Sequence, residues 1–136
     1  MNYRNLGRSG LEVSEVGLGT WSFASRSYGD VAKSDALCTI QAALDSGITL
    51  FDTAPLYGDV QSDGISERIL GEGLGSERDR VVISTKFGRR ATQRAAADFS
   101  ARGVTTSVED SLNRLGTDHI DVLFFHSPFG SAEIKD

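Results

Sequence analysis

The stretch ITLFDTAPLYG, residues 48–58, decides the reading of this chain. Its apolar run, 48–51, stops at Asp52, turn-forming residues follow, and Tyr57 lies just beyond. Two further runs have the same form: 81–85 stops at Lys86, and 120–125 stops at His126. Each is too short for a solitary helix and soon closes in a turn, as strands buried on both faces do. In a parallel barrel, side chains at the carboxyl ends of the strands and in the loops that follow all point to one mouth. The pattern therefore predicts that a carboxylate, a phenol, an ammonium and an imidazole share one pocket.

The segments around these runs read as the rest of a β/α alternation. The opening YRNLGRSGLEVSEV, 3–16, alternates around Gly7 and Gly10 as a short β-hairpin able to plug the bottom of a barrel. A first barrel strand is expected over 16–19, then a polar loop through Gly29. A helix follows near Ser34, with Ser34 as N-cap, Asp35 in the first turn, Leu37, Ile40 and Leu44 as apolar face, and Gly47 just past the end. Beyond Tyr57, 58–66 is a polar loop and 67–74 a short helix weakened by glycine. Residues 88–100 form a longer loop with Arg89, Arg90 and Arg94. A third helix, 101–115, is expected to bury Val104, Val108, Leu112 and Leu115 and to stop at Gly116. Strands and helices in alternation imply right-handed parallel crossovers. No linker interrupts 1–136, which reads as a single domain.

The four polar residues suit one kind of chemistry. A phenol, with an ordinary pKa of about 10, is a poor proton donor at neutral pH, and a neighbouring ammonium favours its ionised form. Lys86 can supply that cation, and Asp52, at the end of the adjacent strand, can keep the cation charged in a dry pocket. His126 can donate a hydrogen bond to a carbonyl oxygen and fix it. The sum is a proton-donating site for carbonyl reduction that needs a hydride source. Singly, each residue has an ordinary use: Asp52 as a loop cap, Lys86 as a solvated strand end, Tyr57 as a rim aromatic, His126 as a structural histidine. Four matching residue types at four matching places weigh against that reading.

Other features exclude other functions. A formal net charge of -5 argues against a general phosphate-backbone binder. No apolar stretch approaches the roughly 20 residues of a membrane span, and the amino terminus lacks a signal-peptide core. One cysteine allows no internal disulfide, in keeping with a cytoplasmic protein. Cys38 reads as a small packing residue, and His119 as structural. His119, His126 and Cys38 have no zinc-like spacing, so no metal is expected. Gly17 and Gly19 lack the third glycine of a dinucleotide fingerprint, since Ser22 stands in its place. Arg89, Arg90 and Arg94 read as a solvated loop, with a place on the wall of the mouth as the alternative.

The strings VGLGTW, FDTAPLYG, SERILG, STKFG and SLNRLGTDHIDVLFFH occur in the order of the signatures of the aldo-keto reductases, which the chain resembles nearly from end to end. That resemblance implies a parallel (β/α)₈ barrel and NAD(P)H-dependent oxidation and reduction. By position, Tyr57 resembles the family's general acid, Lys86 and Asp52 its tuning pair, and His126 its substrate-orienting residue. Gly19, Thr20, Trp21 and Asp52 would border the cofactor, and Trp21, Tyr57 and His126 the substrate. RNLGRSGLEVSEVGLGT, Pro55-Leu56-Tyr57 and DFSARGVTTSVEDSL are most similar to the sugar-oxidising branch that includes L-galactose and aldose dehydrogenases. A sugar or related aldehyde is the implied substrate, with NADP or NAD as cofactor and NADPH slightly preferred.

A complete barrel of this type takes about 250 residues. The 136 residues here hold about four β/α units and the hairpin, the amino-terminal half. The adenosine phosphate and much of the nicotinamide contact belong, in the resembling family, to the other half. Such a half barrel leaves two open sheet edges and an apolar face, so self-association or a complementary carboxyl-half polypeptide is expected. The second reading is accordingly an incomplete barrel without activity of its own, serving as a fragment, an interaction protein or one half of a larger assembly.

Overall fold

The computed structural model describes residues 1–24, 29–93 and 97–128. Strands β1 (Tyr3–Asn5) and β2 (Glu12–Ser14) form the expected antiparallel hairpin, with Arg4 opposite Val13. The hairpin is pinned to the amino-terminal end of the second barrel strand. The Ser14 N–H donates to Thr49 Oγ1 and the Thr49 N–H to Ser14 Oγ, both at 2.9 Å, and the Tyr3 hydroxyl donates to the Gly47 carbonyl at 3.0 Å.

Four parallel strands follow in sequence order: β3 (Gly17–Gly19), β4 (Leu50–Asp52), β5 (Val82–Phe87) and β6 (Val122–Phe125). The register aligns Gly19 with Asp52, Asp52 with Ser84, and Ser84 with Val122. Strand alternation then sorts the side chains. Phe51 and Ile83, neighbours in register, are fully buried in the helix-side core with Ile40, Leu70 and Leu74. Asp52, Ser84 and Lys86 share the opposite face.

Helices α1 (Lys33–Asp45), α2 (Ile65–Leu74) and α3 (Ala101–Leu115) connect the strands. Helix α1 starts two residues earlier than the sequence suggests. Ala32 is its N-cap and its carbonyl already accepts the Asp35 and Ala36 N–H groups, so Ser34 lies inside the first turn. That end is exposed, where water can serve the free N–H groups without a side-chain cap. Cys38 is exposed, which overturns its reading as a packing residue. The core side of α1 is taken by Ala36, Ile40 and Ala43, and position 38 falls on the other side of the helix.

The glycines of α2 prove to be packing devices. A side chain at Gly71 would run into the Leu115 backbone, and one at Gly73 into Ile40. Their absence lets α2 lie close to both neighbouring helices. In α3 the most buried row is Gly103, Ser107, Ser111 and Leu115, whereas Val104, Val108 and Leu112 are only half-buried. The small row faces α2 and β5, and no later helix among the described residues covers the larger side chains. Ser100 caps α3 by accepting from the Gly103 N–H at 3.1 Å, and Gly116 ends it with a φ of 67°.

The expectation of strands buried on both faces fails at β6. Phe124 and Phe125 are 51% and 45% exposed, because four strands form an open sheet with β3 and β6 as edges. No helix among the described residues is long and apolar enough to cross a membrane.

Candidate functional site

The carboxyl ends of β4, β5 and β6 bring Asp52, Tyr57, Lys86 and His126 together. Lys86 is the hub. Its Nζ donates to Asp52 Oδ1 at 2.8 Å, to Asp52 Oδ2 at 2.7 Å, to the Thr53 carbonyl at 2.9 Å and to the Tyr57 phenolic oxygen at 3.0 Å. Four acceptors for three ammonium protons mean that the carboxylate shares its donors. Tyr57 reaches this point because the backbone turns directly after β4: the Tyr57 N–H donates to the Ala54 carbonyl at 3.0 Å, and the Ser66 N–H to the Tyr57 carbonyl at 3.0 Å.

The nearest acceptor for the phenolic proton is Asp52 Oδ2 at 3.5 Å, the far limit of a hydrogen bond. That proton remains available to an incoming oxygen. The His126 ring stands edge-on to Tyr57, with centroids 5.9 Å apart and planes at 89°. Burial, then the cations Lys86 and Arg89, push the imidazole down to about 4, while Asp52 opposes the shift. At neutral pH the ring is uncharged, with one N–H to donate. Its Nδ1 is buried and has no hydrogen-bond partner among the described residues.

Trp21 follows β3, is 47% exposed and has its ring centroid 6.5 Å from that of Tyr57. Gly19 is exposed, with open space where a side chain would be. Thr20 differs from both. It is fully buried, and its N–H and hydroxyl both donate to the Asp52 carbonyl, at 2.9 and 3.0 Å. Its hydroxyl therefore secures the end of β4 and is not offered to a ligand. His119 lies away from the site and pairs with Asp118 at 2.8 Å. Arg90 is bound at 2.9 Å to Asp110, and Arg94 is outside the described residues. No group of three metal-binding side chains occurs among the described residues.

One contributor escaped the sequence reading. Ser84 donates to Asp52 Oδ1 at 2.7 Å, and its only sequence signal is its place two residues before Lys86, hence on the same strand face. Arg89, expected on a solvated loop with the wall of the mouth as the alternative, is only part-exposed, and its Nε donates to the carbonyls of His126 and Ser127, each at 3.1 Å, so it stands beside the site.

The parallel β/α order and the cluster at the strand ends are those of the amino-terminal part of an α/β barrel, and comparison with known proteins agrees. The profile of the aldo/keto reductase family matches residues 15–136. L-galactose dehydrogenase of Arabidopsis thaliana is 40% identical over 134 residues, which is 96% of this chain and 40% of that protein. Among solved structures, a putative aldo-keto reductase from Pseudomonas aeruginosa superposes with a TM-score of 0.78 at 41% identity, covering 92% of this chain and 46% of that one. The holo form of an aldo-keto reductase from Bacillus halodurans gives 0.78 at 33% identity, covering 93% and 40%. The chain belongs to the aldo/keto reductase family, whose members are NAD(P)-dependent oxidoreductases, and it corresponds to the amino-terminal portion of the barrel. It spans less than half the length of these relatives.

Proposed function

We propose that this chain supplies the proton-transfer half of a site that interconverts a carbonyl and an alcohol, with an aldehyde or aldose as substrate. The observation that supports it most is the Lys86 ammonium placed between the Asp52 carboxylate and the Tyr57 hydroxyl, 3.0 Å from the latter. Likeness to an L-galactose dehydrogenase favours a sugar among carbonyl substrates. The reading includes NADP or NAD, with NADPH preferred, and a cytoplasmic protein whose 136 residues fold as one unit.

The residues present suit the nicotinamide end of such a cofactor. The open space at Gly19, the exposed Trp21 ring and the part-exposed Asp52 carboxylate border one side of the mouth. When bound, a reduced nicotinamide supplies the hydride to the carbonyl carbon. Tyr57 gives its phenolic proton to the carbonyl oxygen, so the product is the alcohol. Lys86 donates to the phenolic oxygen throughout and stabilises the charge that remains on it. Asp52 holds the ammonium in place, and Tyr57 regains a proton from solvent. The neutral His126 donates its N–H to the substrate oxygen and orients the carbonyl. In the oxidation of an alcohol each proton moves the opposite way.

A specific observation favours a second reading, an incomplete barrel inactive on its own: among the described residues both sheet edges are unpaired, and Phe124 and Phe125 are exposed at β6. One experiment addresses both. The purified chain is titrated with NADPH and assayed with an aldose and a simple aldehyde, alone and together with a carboxyl-half polypeptide from a related barrel. Tyr57-dependent turnover in either form supports the site; turnover only in the mixture supports the incomplete barrel. Turnover that survives Tyr57→Phe would remove the proposed role.

A further inference from the structure

Past β6 the backbone takes an unusual course. The His126 N–H continues the ladder by donating to the Phe87 carbonyl at 2.9 Å, and Ser127 then adopts a φ of 51°. A side-chain-bearing residue in that left-handed region needs its surroundings to hold it. Arg89, two residues beyond Phe87, does so: its single Nε–H is shared between the carbonyls of His126 and Ser127, which flank the Ser127 α-carbon, each at 3.1 Å. The loop after the Lys86 strand thus grips the backbone that carries the imidazole.

We propose that Arg89 is a positioning residue, holding the end of β6 so that the His126 ring stands edge-on to Tyr57; the proposal rests on the carbonyl-reducing reading above. A guanidinium is suited to this task, since its planar, fixed donors constrain the orientation of what they bind, whereas a lysine offers a mobile point charge. Among the described residues, Lys86 from β5, Asp52 from β4, Tyr57 from the following loop and Arg89 itself are the charged or titratable groups around the ring. Removing Arg89 changes both the ring's place over Tyr57 and one of the cations that disfavour its protonation.

The chain has two histidines, so imidazole NMR signals of the isolated protein, assigned with His119→Gln, report on His126 directly. In Arg89→Met the His126 ring signals should lose their displacement by the Tyr57 ring current, and the ring should titrate at higher pH, with His119 unmoved. Arg89→Lys separates the two effects, and serves if the methionine variant fails to fold. It keeps the charge, so its titration moves less than that of the methionine variant, yet it loses the ring-current displacement. Ring signals at parental positions in a folded variant would overturn the proposal. In a barrel that turns over, Arg89→Lys should raise KM about tenfold and change kcat less. A barrel that never reduces a carbonyl would remove the proposed function and leave the NMR result standing.

Discussion

Lys86 and Tyr57 meet at 3.0 Å, Nζ to phenolic oxygen, although 28 residues separate them in the chain, and Asp52 closes the triangle at 2.7 Å from the ammonium. The contact brings charge to an atom that has to lose a proton. In a complete barrel, Tyr57→Phe should lower turnover by about 10²–10⁴, the usual contribution of a positioned general acid, with NADPH affinity nearly unchanged. Steady-state kinetics and cofactor fluorescence check the two halves of this expectation. Retention of most activity would assign the proton to another donor.

A buried ion pair ties the helices to the Lys86 strand. Glu67 has a fully buried side chain; its Oε2 accepts from Arg114 Nε at 2.6 Å and its Oε1 from the Thr85 hydroxyl at 2.7 Å. Arg114→Met leaves the carboxylate with Thr85 alone, and should cost about 3 kcal/mol in urea unfolding, since an uncompensated buried charge is expensive. Glu67→Leu combined with Arg114→Met should recover much of that loss. Equal stability of Arg114→Met and the parent would show that the pair contributes nothing.

The recognisable parts of this protein in its sequence are those that local chemistry dictates. Asp52, Lys86 and His126 each stop a short apolar run, and in a parallel sheet that alone sends them to one mouth. Gly47 and Gly116 lie just past helix ends, where a positive φ is needed. What could not be read depends on contacts between distant segments. Ser84 becomes a partner of Asp52 only through the β4 to β5 register, and Thr20 is spent on the Asp52 carbonyl only because β3 ends beside it. The valines of α3 follow helical spacing, yet Gly103, Ser107 and Ser111 take the deepest positions because close packing against α2 and β5 favours small residues. Burial of β6 requires neighbours, which periodicity within one segment does not report.

Acid should weaken the fold through His126 in a defined window. The unfolded imidazole takes up its proton as pH falls through 6.5, the folded one only at about 4. Between these values the unfolded state binds more protons, so stability falls with pH, and below about 4 this loss is complete. Partial exposure limits the effect to about 1–2 kcal/mol. Urea unfolding at pH 7 and pH 4.5 should show a smaller difference in His126→Asn than in the parent. An equal difference would place the acid sensitivity elsewhere.

Open edges should make the isolated chain self-associate. Leu123 and Phe124 are 37% and 51% exposed on an edge strand, and successive positions on a strand present to opposite faces, so both faces of β6 carry uncovered apolar surface. Phe125 is held at 4.5 Å from Phe87, ring to ring, and is better left in place. Leu123→Lys with Phe124→Gln removes apolar surface from both faces and adds a charge to the edge, the device by which natural sheets avoid pairing. Sedimentation velocity over a concentration series should show association of the parent that shifts to higher concentration in the double variant. A parent that stays monomeric throughout the series would mean that β6 is not a sticky edge, and that the sheet tolerates its exposure without a partner.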